Sequence, residues 1–195
     1  ETLRELEESK AVYFPQVQRL FAEKKEIGVE LNGVLADLLT VDEKAERAVE
    51  ALFANFLQAV IVGSREDEAA VSTWVRDKQI GRVAVLAAPR EAIQGPRARF
   101  GRSGTISGAI EGPKEILEFL NSTFPREMAA ELVSDIRANS NEKGTISIDH
   151  IGEMSFGGRL FVGGFAATEA KNTSLLAFKR ELSGLGQAVS KLEKK

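Results

Sequence analysis

The residues that could do chemistry here are a basic loop, a lone histidine and a late run of glycines. Between Pro89 and Gly104 the loop carries Arg90, Arg97, Arg99 and Arg102 against one acid, Glu91, with Gly95, Pro96, Gly101 and Gly104 interspersed. Guanidinium groups on such a loop suit phosphate contact, and Phe100 could add stacking on a base. The same composition makes a flexible, solvated connector, and a single short basic loop favours that plainer reading. His150 is the only histidine, which excludes a histidine-rich metal site. If it lies on a strand, Asp149 alternates away from it, so it reads as a turn or surface residue rather than a base. No glycine-lysine-serine phosphate loop is present, and Gly101-Arg102-Ser103-Gly104 lacks the spacing of a nucleophile elbow. The plentiful carboxylates fall mostly on helix faces, where solvent is the default. These patterns offer no catalytic set, no metal site and no cofactor motif.

The glycines are more informative. Ile151 to Phe165 reads as a glycine-rich strand pair holding Gly152, Gly157, Gly158, Gly163 and Gly164. Glycine inside strands marks bulges or places where another backbone comes close. Either the chain makes a tight hairpin here, or a strand lies against another subunit; taken alone, the residues favour the hairpin.

The elements that position these residues follow from periodicity. Leu175, Phe178, Leu182, Leu185, Val189 and Leu192 step by three and four, the seam of a coiled coil. Leu3, Leu6, Lys10, Tyr13, Val17 and Leu20 repeat that alternation at the other end, and Pro15 must interrupt or restart their helix. Two seams bracketing a long non-heptad middle imply a globule inserted at the tip of an antiparallel coiled coil. Within it, a strand is expected in Ile27–Leu31, and Thr40 with Glu43 reads as a capping box opening a helix through Ala45, Val49, Leu52, Phe53 and Phe56. A buried strand at Ala59–Gly63, a helix capped by Ser64 with Ala70, Val71, Trp74 and Val75 inward, and a strand at Arg82–Ala87 complete an α/β unit. Helices are expected from Pro113 and along Met128, Leu132, Val133 and Ile136, then a turn at Asn139–Gly144 and a strand at Thr145–Asp149.

Composition sets outer bounds. With 195 residues, 43% hydrophobic and 28% charged, the chain is expected to be a soluble protein of one domain or two small ones. Its lack of cysteine removes disulfides and thiol chemistry and fits a cytoplasmic setting. No apolar run spans a membrane, and Glu1 to Lys10 is too charged for a secretory signal. A net charge of −3 gives no global pull toward nucleic acid.

Gly33 to Leu39, Val41-Asp42, Ala48 to Leu52 and Leu57 to Val62 resemble the first half of the hinge domain of structural maintenance of chromosomes (SMC) proteins. Ser147-Ile148-Asp149, Gly152-Glu153, Gly157-Gly158 and Gly163-Gly164 resemble its second half, and Tyr13 to Gln18 and Leu175 to Leu182 its coiled-coil arms. The glycine spacing departs from the family's usual pattern by one residue at each step.

The resemblance implies an α/β (mixed α+β), two-subdomain hinge, of bacterial type, with antiparallel coiled-coil helices at both termini. The expected divisions are an arm over 1–26, subdomain one with the basic connector over 27–103, subdomain two over 104–168 and an arm over 169–195. It further implies a homodimer, with Gly152, Gly157, Gly158, Gly163 and Gly164 at contacts between sheet edges. Weak, non-specific DNA contact would fall to Lys24, Lys25, Arg97, Arg99, Arg102, Lys179 and Arg180. ATP hydrolysis and accessory subunits would belong to other parts of the full-length protein, giving a non-enzymatic, cofactor-free, nucleoid-associated module in chromosome condensation and segregation. Two alternatives stand beside it: an α/β domain with amphipathic terminal helices using the arginine loop for an anionic ligand, as binder or enzyme, and a scaffold without DNA affinity.

Overall fold

The structure, a computed structural model, describes residues 13–136, 144–164 and 174–193, with side chains left out at 187 and 189–193. The first part of the N-terminal seam, Leu3, Leu6 and Lys10, and residues 139–143 of the expected turn lie outside the described residues. Helix α1 (Pro15–Ala22) begins on its proline, where the missing amide hydrogen would have had no helical acceptor. Its stripe, Val17 and Leu20, is buried together with Tyr13. A short α2 (Lys24–Ile27) ends on left-handed Gly28.

The expected strand at Ile27–Leu31 does not form. The chain runs extended to Val34, which bridges Val60, while Asn32 N–H donates to Ile61 O at 2.8 Å. After α3 (Leu35–Leu38), Thr40 is a strand residue and not a helix cap: β1 (Thr40–Val41) pairs with a later strand, and Thr40 Oγ1 accepts from Arg97. A 3-10 turn (Glu43–Ala45) then leads into α4 (Glu46–Leu57), which buries Val49 and Phe53. The serine/threonine-x-x-glutamate pattern was overridden because a sheet partner supplied Thr40 with hydrogen bonds that a helix end would otherwise have used.

β2 (Val60–Val62), α5 (Arg65–Lys78) and β3 (Val85–Ala87) form the expected unit with parallel strands, and Ser64 Oγ accepts from Asp67 N at 3.1 Å. The segment expected as a flexible connector is ordered instead. It holds α6 (Arg90–Gln94) and β4 (Arg97–Ala98). Gly101 and Gly108 are so close that a Cβ on Gly101 would meet Gly108 N, and one on Gly108 would meet Arg102 O.

α7 (Ile106–Ala109) runs into β5 (Ile110–Pro113), which lies between β1 and β4, both antiparallel to it. β5 follows the expected subdomain boundary at residue 104, yet its sheet partners precede it. α8 (Lys114–Thr123) starts after Pro113, and α9 (Pro125–Met128) follows. Leu132 and Val133 are not on the expected helix. They belong to β6 (Glu131–Val133), parallel to β7 (Ile146–Asp149), because the ladder partners Ile148 and Asp149 lie far along the sequence. β8 (Met154–Phe156) and β9 (Leu160–Val162) complete an antiparallel hairpin and a sheet ordered β6-β7-β8-β9.

α10 (Leu175–Glu193) buries Leu175, Leu176 and Phe178 against the globule and leaves Leu185 exposed. One apolar cluster runs from Tyr13 through Val60, Ile110, Leu117 and Ile148 to Leu176, so both halves share a core. Among the described residues no helix is long and apolar enough to cross a membrane.

Candidate functional site

Among the described residues β9 is an outer strand with one sheet neighbour, β8. Its residues Leu160, Phe161 and Val162 are 59, 49 and 44% exposed. Successive strand residues point to opposite faces, so three consecutive apolar side chains need cover on both faces, which the described residues of this chain do not provide. β3 is likewise an outer strand, and Val83 to Ala87 are half-buried.

The structure gives each predicted glycine a local setting. Gly157 (φ 57°) and Gly158 (φ 66°) occupy the centre of the β8–β9 turn, closed by Arg159 N donating to Phe156 O at 3.2 Å. Positive φ at both central positions is the geometry that lets a short hairpin keep its strand twist. Gly152 (φ 90°) packs inward, where a Cβ would lie 3.2 Å from Arg47 O and 3.3 Å from Ala51 Cβ. A Cβ on Gly163 would meet the Phe161 ring, while Gly164 (φ 98°) faces open space at the end of the hairpin.

Asp149 organises this region, though the sequence reading gave it no role. Its buried Oδ1 accepts from Ile151 N and Glu153 N, both at 3.0 Å, which fixes the loop that delivers Gly152 to α4. His150 is exposed in the same turn.

The basic candidates separate into two groups. Arg97 reaches Glu111 at 3.2 Å, Leu38 O and Thr40 Oγ1, tying β4 to β5 and β1. Arg99 grips both oxygens of Asp42 at 2.8 and 3.0 Å and donates to Gly108 O, and the Asp42 hydrogen bond raises its pKa. Arg102 lies 3.3 Å from Glu131. Lys24 and Lys25 are exposed on α2, with no ion pair among the described residues.

Lys179 and Arg180 hold α10 to the globule. Lys179 Nζ is 2.6 Å from Asp37 Oδ1 and 3.0 Å from the Tyr13 hydroxyl. Burial pulls its pKa down, but the Asp37 charge and hydrogen bond, helped by Tyr13, more than offset this and leave it raised. Asp37 Oδ2 also accepts from Val34 N at 2.8 Å, capping α3. Arg180 meets the buried Glu46 at 2.7 Å and Glu43 at 3.5 Å. Ser174 caps α10 by accepting from Ala177 N, and Glu50 accepts from both Ser174 Oγ and Leu176 N. These carboxylates were invisible as partners in the sequence because each lies in an earlier element. The one sequence signal for β9 was its unbroken apolar run, which departs from the alternation of a one-sided strand. Among the described residues no group of acids and histidine could hold a metal ion.

The family model for the SMC proteins Flexible Hinge Domain matches residues 29–145. Among solved structures, an asymmetric dimer of the Geobacillus stearothermophilus SMC hinge domain aligns at TM-score 0.67 and 16% identity, over 98% of this chain and 80% of that one. The Pyrococcus furiosus SMC hinge domain aligns at 0.51 and 21%, over 83% and 86%. The folded elbow of cohesin aligns at 0.58 and 16%, over 98% of this chain and 30% of that one. No match was found among curated protein sequences. With the family model covering more than half of its length and the hinge fold reproduced around it, the chain belongs to the SMC flexible hinge family.

Proposed function

We propose that the chain is the homodimerisation hinge of an SMC protein that acts in chromosome condensation and segregation, with weak, sequence-independent DNA contact. The observation that carries this reading is β9, an outer strand whose consecutive apolar residues are all exposed. Pairing β9 of one copy with the outer edge of β3 in a second copy removes a free edge from each. The two-fold symmetric second contact closes a ring. Gly163 and Gly164 then leave the end of β9 without side chains where the second backbone approaches, while Gly157 and Gly158 shape the turn behind it and Gly152 anchors the hairpin to α4. Residues 27–103 and 104–168 serve as the two subdomains, and 1–26 and 169–195 as the roots of coiled-coil arms. Nucleotide hydrolysis and accessory subunits belong to the full-length protein in the nucleoid.

DNA contact starts from Lys24 and Lys25. For Arg97, Arg99, Arg102, Lys179 and Arg180 a phosphate must displace a carboxylate already in place. Few contacts and local competition give weak, salt-sensitive affinity. The test is a Leu160→Lys, Phe161→Lys variant. The reading expects it to lose self-association while keeping the wild-type far-UV spectrum, and an associating variant would sink it. Anisotropy of a labelled duplex across a salt series tests the DNA contact.

A further inference from the structure

α10 has two zones on its globule-facing side. Leu175, Leu176 and Phe178 are buried in the core. One residue further on, Lys179 and Arg180 reach charged partners on three different elements: Asp37 at the end of α3's first turn, Glu46 at the start of α4, and Glu43 in the 3-10 turn. Leu182, Ser183 and Gly184 line, together with these charged pairs, an open cleft of about 800 Å³ that Thr40, Val41 and Arg97 also line. Among the described residues the helix is therefore packed at its root, tied by charge at the next half-turn, and exposed at Ser183 to Gly186 past that. Room exists beneath it.

We propose that the Lys179–Asp37 and Arg180–Glu46 pairs form a charged latch that sets the direction in which α10 leaves the globule, the buried root acting as pivot. Opening the latch lets the helix swing over the cleft without unfolding the core. Two features make this a latch rather than general packing. The Lys179 ammonium also meets Tyr13 Oη, so one side chain holds the chain two residues before α1 and the body of α10 at a common point. The Asp37 carboxylate divides its oxygens between Lys179 and Val34 N, and Val34 bridges β2 at Val60, so latch occupancy is linked to the frame of the β2–β3 sheet. A reoriented arm and a reoriented α3 thus report on one another. The inference concerns a single chain and stands whether or not two copies pair.

The chain has no cysteine, so labels are placed cleanly. Ser183→Cys on α10 and Glu115→Cys at an exposed position of α8 receive nitroxides. The labelled chain is diluted into excess unlabelled chain so that only distances within one copy are read, and the distance distribution is measured by pulsed electron resonance. The background chain is expected to give one narrow distribution. Lys179→Met keeps the aliphatic stem and removes the charge. Asp37→Asn removes the charge while its remaining carbonyl oxygen still accepts from Val34 N, which guards against loss of α3. Both variants are expected to broaden the distribution or add a second distance, with the wild-type near-UV spectrum retained. An unchanged narrow distribution in folded Asp37→Asn overturns the proposal, since the apolar root alone would then fix the arm. Loss of the near-UV spectrum in both variants also overturns it, because the pairs would then be holding the core and not the arm.

Discussion

Gly152 sits against α4 so closely that a Cβ would stand 3.2 Å from Arg47 O and 3.3 Å from Ala51 Cβ. Its φ of 90° adds a second restriction. Gly152→Ala is therefore expected to lower folding stability by about 1–2 kcal/mol from the backbone alone. Gly152→Val should lower it further, because the added methyls meet helix backbone. Urea unfolding checks both, and a neutral Gly152→Ala would remove this contact from the account.

Asp149 holds the loop that places Gly152. Asp149→Ala leaves Ile151 N–H and Glu153 N–H without their acceptor, an expected loss of about 1–3 kcal/mol. Asp149→Asn retains an oxygen there and should lose less. Hydrogen exchange at those two amides gives the direct reading: protection should fall in the alanine variant.

Arg99 and Lys24 should behave in opposite ways. Arg99 already grips Asp42, so Arg99→Ala is expected to remove up to about 1 kcal/mol of stability and to change duplex affinity little. Lys24→Gln with Lys25→Gln should leave stability unchanged and flatten the salt dependence of duplex binding, by about 0.9 in log–log slope for each phosphate contact removed. Anisotropy titrations and thermal melts on the same samples separate the two outcomes.

The Glu26–Lys78 pair at 2.8 Å joins α2 to α5. The hydrogen bond and charge of Lys78 hold the Glu26 carboxyl below its usual value of 4.5, and Glu26 holds Lys78 above its usual 10.5. The Glu26 contribution is thus complete above pH 4.5 and fades as pH falls through the lower folded value. The Lys78 contribution is complete below pH 10.5 and fades as pH rises through the higher one. Lys78→Met should let the Glu26 carbon resonance titrate closer to 4.5 in an NMR series, and an unmoved titration would show that the pair does not form in solution.

Much of the frame was legible because local signals agreed with tertiary needs. Ser64 met Asp67 N as its cap pattern implied, Val60–Val62 and Val85–Ala87 paired parallel around a helix, and the glycine-rich stretch made its hairpin. Thr40 and Leu132–Val133 were misread because their partners, Glu111 for the first and Ile148 with Asp149 for the second, lie far along the chain and override local periodicity. The basic loop was the hardest segment to read. Arg99 and Asp42 are 57 residues apart, and nothing in either neighbourhood signals that the guanidinium would be spent on a carboxylate.

Pairing of two copies through β9 is the claim on which the functional account rests. The most direct measurement is the solution mass by light scattering over a wide dilution range. The account predicts a mass near twice 21.2 kDa that persists as the protein is diluted. A stable mass of 21.2 kDa at every concentration would contradict it, leaving Leu160, Phe161 and Val162 as the exposed outer strand of a monomer.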